Sequence, residues 1–566
     1  MSTPSLLHHL CRLAFLLSLL LSLSTQSHAA NLAAWKSRSI YQTMTDRFAR
    51  TDGSTTQACN TTAGLYCGGT WRGTLNELDY IQGMGFDAVM ISPIVENVPD
   101  RVSYGEAYHG YWPLDLYKLN ENFGTKEDLL ELSEGLHARG MYLMMDVVIN
   151  NMAYVLKDGG NPAKDIDYSI LSPFNKAEYF HPYCKITDWN NYTNAQDCQT
   201  GDLEVVLPDL YTEHDEVQTI LEKWVAEMIK TYSIDGLRVD AAKHVDSGFL
   251  TKFVDSVKTD TFVTGEVLER EVDIVCTYAD NYIASMPNYP VYFAMLDALT
   301  NATTVNLFKE VEYMKAACND VTSLVSFSEN HDQERIPAKN KDIAIAKNVL
   351  TFTLLFDGIP MIYQGQEQHL AGGGTPENRE AIWLSKYNTD APLYKHIAQL
   401  NALRQHVTAL GTDYLDTPTV PLHRDDGAIG FKKGVEGRHV VMLLSTQGST
   451  QAKPYQIPLK VAYNAGTEVV EVLGCSNYTV SNDGEMVVTM DKGEPRVFYP
   501  SELLGGSGLC GFGKGNVTLA QLVSGGGMGT GADLSGAAAS TKKGIMMGMG
   551  MPVVVVVMAA ACLMFG

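Results

Sequence analysis

Three short segments of this chain each carry apolar residues up to a carboxylate. Gly236-Leu-Arg-Val-Asp-Ala-Ala-Lys-His244 places Leu237 and Val239 around Arg238 and ends on Asp240, with Lys243 and His244 just beyond. Phe262-Val-Thr-Gly-Glu266 ends on Glu266, and Phe327-Ser-Glu-Asn-His-Asp332 ends on Asp332 with His331 beside it. Each reads as a buried strand delivering an acid to its C-terminal end, which in a (β/α)8 barrel is where catalytic groups sit. Any one of them alone is as well explained as a core strand followed by a helix-capping Asp. Three in succession favour acid, base or nucleophile chemistry by paired carboxylates. Arg238, two residues before Asp240, faces the same side of an extended chain and can hold that carboxylate ionised.

Those acids need a scaffold, and the chain between Ser39 and about Leu410 supplies its pattern. Strand candidates are Ser39–Asp46, Phe86–Ser92, Met141–Val148, Gly236–Asp240, Phe262–Glu266, Leu324–Glu329 and Pro360–Tyr363. Helical patterns such as Lys126–Arg139, Glu213–Tyr232 and Lys339–Phe356 lie between them. This βα rhythm predicts a parallel sheet, and its strand count a barrel, over residues 31–412. Residues 151–209 break the rhythm; they are polar, contain Cys184 and Cys198, and read as an inserted subdomain. Over 413–510, short strand-like runs divided by Gly, Asn and Asp predict an antiparallel β-sandwich. From 511 to 540 the Gly/Ala/Ser-rich composition predicts a flexible stalk.

The formal net charge of -23 argues against nucleic acid or an anionic membrane surface as a partner. No P-loop or Cys-x-x-Cys pair occurs, and no Rossmann glycine fingerprint opens a helix after a strand. Residues 1–30 have the pattern of a secretory signal peptide: Arg12, a Leu-rich run, then small residues at Ala29 and Ala30. The far end pairs a small-residue cluster, Ser535-Gly-Ala-Ala-Ala-Ser540, with a terminal apolar run lacking a basic flank. That predicts a GPI anchor at Ser535, loss of 541–566, and attachment to the outer leaflet of the plasma membrane or to the wall. Removing both signals leaves eight of the ten Cys: Cys59, Cys67, Cys184, Cys198, Cys276, Cys318, Cys475 and Cys510. Their even number fits a disulfide-bonded exported protein, though spacing alone leaves 105 pairings open. Acceptor sequons at Asn60, Asn191, Asn301, Asn477 and Asn516 fit the same compartment.

With Asp146-Val-Val-Ile-Asn150, Leu207-Pro-Asp-Leu210, Tyr108-His-Gly-Tyr-Trp112 and Gly365-Gln-Glu-Gln-His369, the three acid-tipped segments resemble the fungal α-amylases of glycoside hydrolase family 13. The resemblance runs from Trp35 to Cys510. It implies a TIM barrel with an inserted domain B and a C-terminal β domain. It also implies disulfides 59–67, 184–198, 276–318 and 475–510. By the same resemblance Asp240 is the nucleophile of a retaining reaction, Glu266 the acid and base, and Asp332 the acid that grips the sugar. Lys243, His244, His331, Tyr111, Trp112 and Arg379 then contact glucosyl units. Calcium would be held by Asn150, Asp209, the His244 carbonyl and Gln196, and weakened by Gln196, where relatives carry an acid. Two further departures, Asn151 in place of His and Thr375 in place of Asp, lie on the donor side of the cleft. Together with the anchor signal they resemble a subgroup described as 4-α-glucanotransferases. The expectation is a monomeric transglycosylase acting on maltooligosaccharides or α-glucan. Endo-hydrolysis of starch-like glucans is the alternative, followed by a non-catalytic glucan-binding wall protein.

Overall fold

The computed structural model describes residues 30–524, except 158 and 452. Residues 1–29 of the expected signal peptide 1–30, the expected anchor site Ser535 and the segment 541–566 lie outside the described residues. Seven strands form one parallel sheet: β1 (Ile40–Gln42), β2 (Ala88–Ile91), β3 (Tyr142–Val147), β4 (Gly236–Val239), β5 (Phe262–Gly265), β6 (Val325–Phe327) and β7 (Ile359–Tyr363). Their order is β6-β7-β1-β2-β3-β4-β5. Nearly every residue in them is buried, as expected of strands covered on both faces by crossover helices.

The eighth position lacks a regular strand and has no apolar run in the sequence to announce it. Residues 285–288 fill it. Gly265 N–H donates to Ser285 O at 3.0 Å, Val325 N–H to Met286 O at 2.9 Å, and Asn288 N–H to Val325 O at 2.9 Å. This short stretch therefore joins β5 to β6 and closes the (β/α)8 barrel. Pro287 has no N–H to give, which limits the ladder to a bridge.

Helix Lys126–His137 starts with a capping box between Thr125 and Asp128. Helix Asp215–Tyr232 buries Val217, Leu221, Trp224 and Val225, spaced to lie on one face. The expected helix 339–356 is two helices, Ile336–Lys339 and Ile343–Leu355, because Asp342 caps the second one. Among the described residues no helix is long and apolar enough to cross a membrane.

Two excursions leave the barrel at the carboxyl ends of its strands. Between β2 and the helix at 126, Val95–Asn97 pairs antiparallel with Pro113–Leu119. After β3, residues 151–209 make the predicted domain B. Among its described residues it holds the small ladder of Tyr154–Val155 with Val205–Val206 and the short helix Tyr192–Asp197, and it is tied by the Cys184–Cys198 disulfide. The other three disulfides, Cys59–Cys67, Cys276–Cys318 and Cys475–Cys510, also form the implied pairs. All five sequon asparagines are exposed.

Among the described residues the C-terminal domain has eight strands: β8 (Val420–Arg424), β9 (Ala428–Lys433), β10 (Val440–Ser445), β11 (Tyr455–Lys460), β12 (Glu468–Glu471), β13 (Ser476–Thr479), β14 (Glu485–Met490) and β15 (Arg496–Pro500). A six-stranded sheet, β8-β9-β10-β15-β12-β13, faces the β11–β14 pair, and Val441, Leu443, Ile457, Val488 and Phe498 pack in the core they share. The buried Lys433–Asp357 ion pair, 2.7 Å, ties this domain to the barrel. Packing does not stop at 510, where the stalk was expected. Phe512, Leu519 and Leu522 still lie against the core because they are large apolar residues within a Gly-rich stretch.

Candidate active site

Parallel register brings the acids together. Asp146 on β3 stands opposite Arg238 on β4, and Asp240 and Glu266 follow directly at the ends of β4 and β5. Backbone bonds continue the ladder past the strands: Asp240 N–H donates to Val147 O, and Glu266 N–H to Val239 O, both at 2.9 Å. Buried Arg238 then serves three carboxylates. Its Nη1 lies 2.6 Å from Asp240 Oδ1 and 2.8 Å from Asp146 Oδ2, and its Nη2 lies 2.9 Å from Glu266 Oε2. Ala241, held in the left-handed region at φ 48°, turns its N–H onto Glu266 Oε2 at 3.1 Å.

Three acids around one guanidinium cannot all be neutralised. Burial pushes the Asp146 carboxyl up to about 6, against the opposing pull of Arg238 and of the Tyr111 hydroxyl, which donates to it at 2.8 Å. Burial likewise pushes Asp240 up, with Arg238 opposing and Glu266 and Asp146 adding repulsion. The cluster therefore favours keeping a proton among its members, the condition a general acid requires. Beneath it a small cavity of about 20 Å³ is lined by Arg238, Glu266, Tyr289, His331 and barrel methionines.

The third acid approaches from the other side. Asp332 Oδ1 accepts from Arg379 Nη2 at 3.0 Å, and its Oδ2 lies 3.2 Å from His331 Nε2. Gln42 Nε2 sits 3.0 Å from His331 Nδ1, and the Tyr111 ring stacks on His331 at 5.2 Å between centroids. Burial pushes His331 and His109 well down from the usual imidazole range, so both are neutral. Thr375 Oγ1 donates to His331 O at 3.3 Å, reaching the same loop.

The other predicted contacts are placed less uniformly. Lys243 pairs with Glu269 at 2.9 Å, while His244 Nδ1 bonds Ala195 O at 2.9 Å and faces the exposed Trp189. Trp112 packs edge-on to His109 and against a small cluster with Val98 and Ala153, so much of its ring is core. Asn151 is buried and turns an amide N–H to Met152 O at 3.2 Å. Asp146, Gln42, His109 and Glu269 belong to the site but carry no sequence-based assignment. Only Asp146, a fourth acid at a strand end, had a usable signal.

A family model for the α-amylase catalytic domain matches residues 42–391, and one for α-amylase domain C matches residues 421–518. The chain belongs to the α-amylase family. It is 42% identical over 478 residues to α-amylase 1 of Schwanniomyces occidentalis, covering 84% of this chain and 92% of that one. It is 37% identical over 491 residues to α-amylase mde5 of Schizosaccharomyces pombe, covering 86% and 91%. Among solved structures, an α-amylase from Malbranchea cinnamomea superimposes with a TM-score of 0.81 at 44% identity, covering 85% of this chain and all of that one. An α-amylase fold thus carries the acid cluster, and the protein is a glycoside hydrolase of the α-amylase type.

α-Amylases typically bind calcium. The four residues assigned to it form two contacting pairs, one at the end of β3 and one after β4. Asn150 Nδ2 donates to Asp209 Oδ1 at 3.0 Å, and Gln196 Nε2 reaches the carbonyls of Lys243 and Val245, on either side of His244, at 3.4 and 3.2 Å. Burial pushes the Asp209 carboxyl up to about 7, against the opposing pull of His181 and of the Asn150 amide. The set fits calcium in kind, being oxygen-rich, but it offers a single carboxylate and a Gln196 amide that now donates.

Proposed function

We propose that this enzyme cleaves internal α-1,4 bonds of starch-like glucans with retention of configuration. The observation that carries the reading is the single guanidinium, Arg238, bonded at once to Asp240 and Glu266. A glucosyl unit lying over that pair would meet Glu266, which protonates the departing glycosidic oxygen, while Asp240 attacks the anomeric carbon to form a glycosyl-enzyme. Glu266 then takes a proton from water as it opens the ester, and two inversions return the α-anomer. Arg238, bonded to Asp240 Oδ1, favours the ionised form needed for attack against the burial that raises its pKa. Asp332, oriented by Arg379 and His331, would hold ring hydroxyls, with Tyr111 stacked behind them. The names of the relatives, α-amylases throughout, support water as the acceptor.

A second reading, sugar transfer as a 4-α-glucanotransferase in the cell wall, has one supporting observation. Asn151 and Thr375, at donor-side positions, spend their polar groups on backbone carbonyls. Fewer contacts to the donor would slow the glycosyl-enzyme and give sugar acceptors time to compete. Incubation with a single maltooligosaccharide decides between them: only shorter products are expected, and chains longer than the substrate would replace hydrolysis with transfer.

Asn150, Asp209 and the His244 carbonyl would hold calcium with reduced affinity, and its part is structural, clamping domain B to the end of β3. The sequence of the C-terminal segment supports a GPI anchor at Ser535 that would hold the enzyme at the cell surface. Release from membranes by phosphatidylinositol-specific phospholipase is the expected result, and detection of the 553–557 valine run in the mature protein would contradict it.

A further inference from the structure

Domain B carries a second group of ligating side chains, on the far side of Asp209 from Asn150. His181 Nδ1 lies 2.7 Å from Asp209 Oδ2, and its Nε2 lies 3.4 Å from Glu213 Oε2. Asp197 completes the group: the ligand-capable atoms of His181, Asp197 and Glu213 all fall within 4.8 Å of one another. His181, Asp197, Asp209 and Gln199 line a cavity of about 10 Å³, room for a single small sphere. Gln199 supplies an independent sign of a missing ligand. It is 5% exposed, and its Oε1 is buried with no hydrogen-bond partner. An orphaned carbonyl oxygen costs free energy, so natural proteins seldom leave one without an ion or water.

We propose that His181, Asp197 and Glu213 bind a divalent transition-metal ion of the zinc class. The Nδ1 proton is donated to Asp209, so Nε2, which faces Glu213, is the ring nitrogen that a metal would take in exchange for its proton. Metal-bound histidines are oriented by a carboxylate in this way. Bonds of roughly 2.0–2.2 Å in a tetrahedron space neighbouring ligands about 3.4 Å apart, and His181 and Glu213 already stand at 3.4 Å. An imidazole with two carboxylates suits zinc better than calcium, which takes six to eight oxygens. Gln199 Oε1 or a water would fill the fourth place. Such an ion joins the Cys184–Cys198 loop to the residues that precede helix Asp215–Tyr232, fastening domain B beside the cleft without touching substrate.

The full mature protein, stripped with chelator and dialysed, is titrated with ZnCl2 and separately with CaCl2 by calorimetry. Wild type binds one zinc per chain, and its melting temperature rises with zinc. His181→Ala and Glu213→Gln each weaken zinc binding at least roughly tenfold and abolish the rise. Cobalt(II) added to the stripped wild type gives the intense visible absorption of a tetrahedral site, a readout that requires no variant to fold. Substoichiometric zinc binding, zinc affinity unchanged in both variants, or an octahedral cobalt spectrum each overturns the proposal.

Discussion

At the mouth of the barrel, Asp146, Arg238, Asp240 and Glu266 are set by adjacent parallel strands, whereas in domain B His181 and Asp209 are set by loops and Asp197 by the end of a short helix, around one disulfide. Both places gather acids around a base. The difference lies in what fixes them. Strand register determines the barrel cluster to within a hydrogen bond, and the ladder continues through Asp240 and Glu266 into the site. Domain B has one two-residue ladder, so its geometry depends on side-chain bonds, Cys184–Cys198 and the ions it can hold. The catalytic cluster should therefore survive single changes structurally while losing chemistry, and domain B should do the reverse.

The sharpest test of that contrast is Asp240→Asn. Turnover should fall more than about a thousandfold, the order seen when a covalent nucleophile is removed, while the melting temperature stays within a few degrees. An active variant would remove Asp240 from its role. Arg238→Met should break the rule for the barrel, because it leaves three buried acids without their cation. Loss of one partner from a buried ion network costs about 3–5 kcal/mol, visible as a lower urea midpoint. A midpoint equal to wild type would mean that the strands alone hold the cluster.

How much of this was legible depends on the same distinction. Asp240 and Glu266 were readable because an apolar strand followed by an acid is a local pattern, whereas Asp332 lies on the loop beyond Phe327, where β6 ends, and not at the strand end as expected. Asp146 obeyed that pattern too, but its meaning depends on standing opposite Arg238, a register that sequence does not print. The eighth barrel position was invisible, since 285–288 closes the barrel with backbone bonds and a proline. The partners of Lys243 and His331, namely Glu269 and Gln42, lie on other elements and carry no spacing signal. Asn151 was readable as a departure from a family pattern, but not as a buried amide bonded to its neighbour.

Domain B should respond to the loss of its crosslink. Replacing Cys184 and Cys198 together by Ser releases a short loop, a change worth about 3 kcal/mol. Early proteolysis within 151–209, with the barrel's melting transition nearly unmoved, is the expected result, and an unchanged digestion pattern would show that the disulfide adds nothing there.

The smallest effect concerns protons. Tyr111 donates to ionised Asp146, so Tyr111→Phe should raise the Asp146 pKa further and move the acid limb of the kcat/KM profile upward by under about one unit. For stability the sign is opposite to that of a salt-bridged acid. Asp146 binds its proton more tightly when folded, so its contribution is full below about pH 4 and is lost as pH rises through about 6. An acid limb that stays in place in the variant would exclude Asp146 from the pH response.

The central claim is that Asp240 attacks while Glu266 handles the proton. Incubating Glu266→Gln enzyme with a maltosyl fluoride, whose good leaving group needs no acid, should accumulate the glycosyl-enzyme. Peptide mass spectrometry should then find the sugar on the peptide containing Asp240 and at that residue. A sugar on Glu266→Gln or Asp332 peptides, or fluoride release with a β-configured product and no adduct, would contradict the account.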